Sequence, residues 1–227
     1  MARASKTVAD EKQRQERLKK FEYLAYDEGY RWVAGTDEVG RGPLAGPVAA
    51  AAVILPRDFY LAGVDDSKAL SAKKRLSLVN QIKREAISWA VAILSPGYID
   101  RENILNASRE AMRMAVTALR PCPEFLLIDA IKIPHLEIKQ LSIIKGDRLS
   151  VSIACASIIA KVERDEIMQA YDKIYPQYGL GRHKGYATRD HLLALQEYGP
   201  CPIHRRSFEP IKSMLRDRDG GQIRLFE

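Results

Sequence analysis

Cysteine is scarce in this sequence: Cys122, Cys155 and Cys201 are odd in number, far apart and free of any C-x-x-C spacing. That argues against a disulfide framework and a thiolate zinc site, and it suits a reducing, cytoplasmic compartment. Long apolar runs are missing as well. The longest, residues 44–55, is interrupted by Gly46 and Pro47 and falls short of the ~18–20 residues that cross a bilayer. No membrane span is expected. The N-terminus is charged and has no apolar stretch ahead of a small-residue cleavage site, so no secretory leader is expected either. There is no G-x-S-x-G elbow, no H-E-x-x-H and no internal repeat, and His135, His183, His191 and His204 lack ligand spacing. Serine-hydrolase and zinc-protease chemistry find no support.

What is present is bulk and positive charge. The 227 residues are 46% hydrophobic and 29% charged, with a net charge of +7. Such a chain buries a sizeable core without staples, and its length suits one large domain with appendages. The charge is compatible with a polyanionic partner, although ordinary enzymes also carry it.

Residues 1–31 read as an extension, disordered over about the first ten and helical from Lys12, with Leu18, Phe21 and Ala25 on one face. Its basic flank (Lys12, Arg14, Arg17, Lys19, Lys20) is either a solvated face diluted by acids or a nucleic-acid-facing arm. Strands are expected over residues 32–39, 47–55, 88–94 and 125–128, with an apolar stretch at 138–144. Helices are expected after Ser71 as N-cap, with Leu76, Val79, Ile82 and Ala86 inward, around residues 104–119, over 150–171 and over 188–198. The helix of 150–171 carries a seam of Ser and Ala suited to close packing on a sheet. Residues 212–227 read as a flexible charged tail. Strands and helices in mixed order predict an α/β domain with a mixed sheet.

The sharpest motif runs from Gly35 through Asp37, Glu38, Gly40, Arg41 and Gly42 to Gly46 and Pro47. It has the glycines of a phosphate loop but not its context. Two carboxylates would repel a bare pyrophosphate, Pro43 and Pro47 remove backbone donors, and a strand follows where a phosphate loop opens a helix. Acids beside glycine amides make sense with a divalent cation between carboxylate and phosphate. Asp37 and Glu38 end a strand expected to be central, a costly place for uncompensated charge. Asp129 ends another apolar strand, where the bland reading is a turn residue. Asp147 precedes the long helix, where the bland reading is an N-cap. Asp165 reads as an ion-pairing residue on that helix. Carboxylates without His or Cys select a hard cation, Mg²⁺ or Mn²⁺.

The motifs Asp37-Glu-Val-Gly40-Arg41-Gly42-Pro, Asp65-Asp-Ser-Lys68, Leu127-Ile-Asp129, Lys145-Gly-Asp147, Ala156-Ser-Ile-Ile-Ala-Lys-Val, His183-Lys-Gly-Tyr186 and His204-Arg-Arg-Ser-Phe208 resemble those of bacterial ribonuclease HII, in order from about Trp32 to Ile211. The resemblance implies the ribonuclease H-like fold, a mixed sheet of five strands flanked by helices, with residues 32–211 as the catalytic domain. It implies an endonuclease for RNA–DNA hybrids that also incises 5′ to ribonucleotides embedded in duplex DNA, leaving 3′-hydroxyl and 5′-phosphate ends. Carried over by motif, the catalytic positions are Asp37, Glu38, Asp129 and Asp147, with metal on Asp37, Glu38 and Asp129. Substrate contacts fall on Gly40, Arg41, Gly42, Lys68 and Tyr186. Lys68 and Tyr186 also admit blander readings, as a solvated lysine and a packing tyrosine. The sequence departs at Ala130, where the family has glycine. Ideal alternation would send Asp37 and Glu38 to opposite faces, so the backbone must bend near Gly35 or Gly40 if both reach a metal. A non-catalytic binding protein and an integrase-like nuclease on the same fold are the alternatives. The last residues, Gln222, Ile223, Arg224, Leu225 and Phe226, resemble a sliding-clamp peptide, or else fold back on the enzyme, which is expected to act as a monomer.

Overall fold

The computed structural model describes residues 8–222. Helices α1 (Val8–Leu18) and α2 (Lys20–Asp27) form the extension, broken at Lys19 where a single helix was expected. Five strands follow the expected segments: β1 (Val33–Val39), β2 (Val48–Ile54), β3 (Ser88–Leu94), β4 (Phe125–Asp129) and β5 (Lys139–Ile143). They lie in one mixed sheet in the order β3-β2-β1-β4-β5. Helix α3 (Ala72–Glu85) precedes β3, and α4 (Pro96–Glu102) and α5 (Ile104–Thr117) follow it. The long α6 (Val151–Ile174) comes after β5, then α7 (Leu180–His183), α8 (Arg189–Tyr198) and α9 (Ile211–Gln222). No helix among the described residues is long and apolar enough to cross a membrane.

The chain divides into two compact units. The first comprises the residues up to Glu38 with Ala50–Ala92 and Arg109–Val162. One of its clusters joins Ala25, Val33, Phe125, Leu127, Ile143 and Ile153, so α2, the central strands and the start of α6 share a core. The Ser–Ala seam does what its small side chains allow. A Cβ on Gly35 would collide with the backbone of Ser152 and Ile153, so α6 rides directly on β1 and only glycine fits. Helix α3 starts as expected, its Ser71 hydroxyl accepting the N–H of Lys74 at 3.3 Å. Its buried face is Leu78, Val79 and Ile82 rather than one including Leu76, which is 52% exposed. Leu78 lies one turn below Ile82, four residues away at helical spacing, and Leu76 falls on the outer side.

The extension is held by a buried acid. Glu22 accepts the Ser150 hydroxyl at 2.5 Å and the Ser152 hydroxyl and N–H at 2.7 and 3.0 Å. Burial nevertheless raises its pKa.

The second unit comprises Val39–Ala49, Ile93–Ser108 and the residues from Glu163. Its core gathers Leu44, Met168, Tyr178, Leu180, Leu195 and Ile211, with Met214 and Leu215 against it. Met214 and Leu215 fall in the segment expected as a flexible charged tail, which is helical as far as Gln222. Ile211 is fully buried, and the apolar contacts of Ile211, Met214 and Leu215 stabilise α9 where charge alone suggested a flexible chain. Residues 223–227, most of the clamp-like peptide, and residues 1–7 lie outside the described residues.

Candidate active site

The sheet brings the acids together through its register. In the parallel β1–β4 ladder Thr36 pairs with Ile128, so the next residues, Asp37 near the end of β1 and Asp129 at the end of β4, come side by side. Asp129 pairs in turn with Ile143 of β5. Beyond β5, Lys145 takes a left-handed turn (φ 59°) and Gly146 donates its N–H to Asp129 Oδ1 at 2.8 Å. That bond fixes the short 3-10 turn Gly146–Arg148, in which Asp147 is buried. Three parallel strands thus bring an acid to the same edge of the sheet: Asp37 near the end of β1, Asp129 at the end of β4 and Asp147 in the turn beyond β5.

Charge is concentrated there. Burial pushes the Asp37 carboxyl well above the usual carboxylate range, and the charge of Glu38 adds to that. A hydrogen bond to Ser157 pulls the other way, Asp129 pushes further up, and the Glu38 N–H, donated to Asp37 Oδ1 at 2.8 Å, pulls down. Asp147 is raised by burial and by Asp129 and Asp66, while Lys68 and Arg148 oppose the shift. Asp37 and Glu38 act on each other's charge despite strand alternation. The chain turns at Gly40, whose φ of 96° suits glycine.

Asp66 is a residue that sequence reasoning passed over. It is 3% exposed, accepts the Lys68 N–H at 2.8 Å and takes two bonds from Arg148, at 3.1 and 2.7 Å. It therefore clamps the Asp65–Lys68 segment to the turn that carries Asp147. Those bonds hold its pKa down in spite of burial. Ser67 and Ser157 share a hydrogen bond at 2.8 Å, which links the same segment to α6. Lys68 is exposed, as a phosphate contact must be.

All the donors are carboxylate oxygens, and the repulsion that Asp37 and Asp147 each feel from other carboxylates marks a site short of positive charge. That donor set fits a hard divalent cation. As the side chains stand, no three His, Cys, Asp or Glu among the described residues form a ready cage.

In the second unit, Arg41 and Gly42 are exposed. A Cβ on Gly42 would lie 3.7 Å from the ring of Tyr186, which is 42% exposed. The loop is supported from beneath by two fully buried arginines. Arg205 donates to the carbonyls of Gly40, Arg41, Gly46 and Pro47, and Arg164 to those of Ala45, Pro47 and Lys184. In a trans peptide the C=O and the following N–H point opposite ways. Drawing the Gly40 and Arg41 carbonyls inward therefore turns the amides of Arg41 and Gly42 outward. No sequence pattern announces this; the arginines had no assigned part.

Residues 34–211 match the family model described as Ribonuclease HII. The chain belongs to the ribonuclease HII family. It is 60% identical to the ribonuclease HII of Syntrophomonas wolfei over 98% of this chain and 88% of that protein. Among solved structures it is similar to the ribonuclease H2 of Pyrococcus horikoshii (26% identity, TM-score 0.68), covering 82% of this chain and 98% of that one. It is also similar to the RNase HII of Archaeoglobus fulgidus in its complex with PCNA (25% identity, TM-score 0.67), covering 79% and 96%. The ribonuclease H-like fold and an endoribonuclease activity on RNA–DNA hybrids follow from membership. The family is divalent-metal dependent.

Proposed function

We propose that this ribonuclease HII also incises duplex DNA 5′ to an embedded ribonucleotide, leaving a 3′-hydroxyl and a 5′-phosphate, as a monomer in ribonucleotide excision repair. The observation that carries the reading is the register that sets Asp37 and Asp129 next to one another on parallel strands, with Asp37 raised above its usual range by burial first and by the charges of Glu38 and Asp129 as well. Asp37, Glu38 and Asp129 would hold Mg²⁺ or Mn²⁺, and Asp147 completes the acidic set. Bound there, the cation supplies positive charge for the attacking water and the phosphate oxygens. Gly146, Ser157 and Asp66 orient the acids. Lys68 contacts a phosphate. The outward amides at Arg41 and Gly42 sense the 2′-hydroxyl, which backbone groups do only where no side chain intervenes. The Tyr186 ring packs on the neighbouring deoxyribose, where an added hydroxyl would clash. The free cysteines support a cytoplasmic compartment.

The test is duplex DNA holding one ribonucleotide, incubated with Mg²⁺, with Mn²⁺ and with chelator. Incision on the 5′ side with either metal and none with chelator is expected. Cleavage of continuous hybrid but not of this duplex would restrict the enzyme to hybrids.

The likeness to a PCNA-bound RNase HII supports a second assignment, that residues 222–226 dock on a sliding clamp. Affinity should be micromolar, as for a short peptide motif that docks through a few side chains. Removing residues 222–227 should abolish clamp binding in calorimetry and leave oligonucleotide cleavage unchanged. Full-length enzyme that shows no binding at tens of micromolar clamp overturns it.

A further inference from the structure

Three histidines without ligand spacing in the sequence are gathered in one buried cluster of the second unit. His183 stacks on His191 with ring centroids 4.5 Å apart, and His191 Nε2 lies 3.0 Å from His204 Nε2. A contact between two ring nitrogens requires a proton on one and none on the other. The Tyr186 end of the chain decides which. There His191 Nδ1 stands 2.9 Å from the Tyr186 carbonyl, which can only accept. A neutral His191 must therefore carry its proton on Nδ1 and leave Nε2 bare. His204 then donates from Nε2, and its Nδ1, left without a proton, accepts the Cys201 backbone N–H at 3.0 Å, with Cys201 Sγ at 3.1 Å and the Cys201 carbonyl at 3.3 Å beside it. His183 obeys the same logic. Its Nε2 donates to the Tyr178 carbonyl at 2.8 Å, and its Nδ1 accepts the Gly185 N–H at 3.2 Å. Each ring has one tautomer, and every ring nitrogen has a partner.

The far end of this chain is the peptide on either side of Tyr186. The Tyr186 carbonyl accepts from His191 and from the Thr188 N–H at 2.8 Å. The Gly185 carbonyl accepts the Leu44 N–H, also at 2.8 Å. The backbone is thus pinned in front of and behind a ring that is itself 42% exposed. Gly185 has φ 85° and no room for a Cβ against Ala45, so the segment has little freedom of its own.

We propose that His191 and His204 are positioning residues for junction recognition: a one-way relay of neutral imidazoles, running from Cys201 to Tyr186, sets the peptide that aims the Tyr186 ring. The proposal rests on the reading of Tyr186 as the ring that packs on the sugar beside the scissile phosphate. Neither histidine touches substrate. Burial favours the neutral form of both rings.

The tautomers prescribe which amide side chain can stand in for each ring. Asparagine places an N–H near the Nδ1 position and glutamine near Nε2. His191→Asn should therefore keep the donor to the Tyr186 carbonyl and His204→Gln the donor toward position 191, whereas His191→Gln and His204→Asn should remove them. The readout is the ratio of turnover on duplex DNA with one ribonucleotide to turnover on continuous hybrid. A general loss of stability lowers both rates and leaves the ratio alone. The breaking pair should lower the ratio on the order of ten- to a hundredfold, since ~1 Å of misplacement can cost that much, and the keeping pair should hold it near the parent value. The same ranking at both positions, or no change in the ratio for any variant, overturns the proposal. Long-range ¹H–¹⁵N spectra of the unmodified enzyme provide a measurement that no folding failure can obscure. Nδ1–H on His191 with Nε2–H on His183 and His204 is expected, and Nε2–H on His191 overturns the relay. Tyr186→Ala separates the two readings. If it leaves the ratio unchanged, the reading of Tyr186 falls and the relay loses its role in recognition, while the spectra still decide whether the relay exists.

Discussion

The hydroxyl of Ser150 accepts the N–H of Ile153 at 3.2 Å, and its carbonyl accepts that of Ala154 at 3.0 Å. Ser150 is therefore the residue that caps α6. Asp147 belongs to the preceding 3-10 turn, Gly146–Arg148. Its carboxyl instead faces the field of Asp129 and Asp66.

Asp147→Ala should consequently cost activity rather than stability. A carboxyl whose pKa is raised in the fold penalises the native state at every pH above that raised value, so removing it relieves a cost at neutral pH. Calorimetry should find the melting temperature unchanged or slightly higher. Single-turnover cleavage of hybrid should fall ~100-fold or more, as for loss of one group that stabilises transition-state charge. A loss of about 1 kcal/mol with cleavage intact would return Asp147 to the role of a cap.

Asp37 makes the same argument in stronger form, because it is buried among Glu38 and Asp129. In chelator at pH 7, Asp37→Asn should melt higher than the parent enzyme, for the same reason of sign. Mg²⁺ should reverse the order. At about 100 times its dissociation constant a bound ion adds about 2.7 kcal/mol to the state that binds it. That gain should appear in the parent enzyme and largely vanish in the variant. Equal stabilisation of both by Mg²⁺ would remove Asp37 from the ion's ligands.

Ala130 holds φ 57° directly after Asp129, its N–H bonded to the Ile143 carbonyl at 3.1 Å. The left-handed region costs a residue with a Cβ ~1–2 kcal/mol, and glycine adopts it freely. Glycine also gains entropy in the unfolded chain, worth ~0.4–1 kcal/mol the other way. Ala130→Gly should therefore raise stability by about 0.5 kcal/mol, with cleavage unchanged, as read from denaturant midpoints. A clear loss of stability would mean that the alanine methyl packs where glycine leaves a gap.

His204 is brought down to about 4 by burial first and by the neighbouring imidazoles His191 and His183. The unfolded chain takes up this proton near the ordinary value of 6.5. Stability should thus be level above pH 6.5 and decline as pH falls toward 4, by roughly 3 kcal/mol at most. His204→Gln, which cannot titrate, should flatten that part of the stability–pH curve. Urea midpoints at half-unit steps would show it, and parallel curves for parent and variant would assign the decline to other groups.

Much of this protein could be read along the chain because the signals are local. Strand ends, the Ser71 cap and the Ser–Ala seam of α6 depend on neighbours a few residues away, and so does the placing of Asp37, Glu38 and Asp129 at the ends of apolar strands. What the chain alone could not show depends on partners distant in sequence. Arg205 reaches the carbonyls of residues 40 to 47 across a separation of up to 165 positions. Asp66 finds Arg148 at a separation of 82. In sequence His183, His191 and His204 are loop and helix residues at no motif spacing, yet the fold closes them into one relay. A buried guanidinium or imidazole is stable only when its donors and acceptors are satisfied, and only tertiary packing supplies those partners. The sequence by itself therefore determined the strands, the longer helices before α9 and the acids near the strand ends. The tertiary structure decided which buried polar groups hold those acids and the Gly40–Gly42 loop in place.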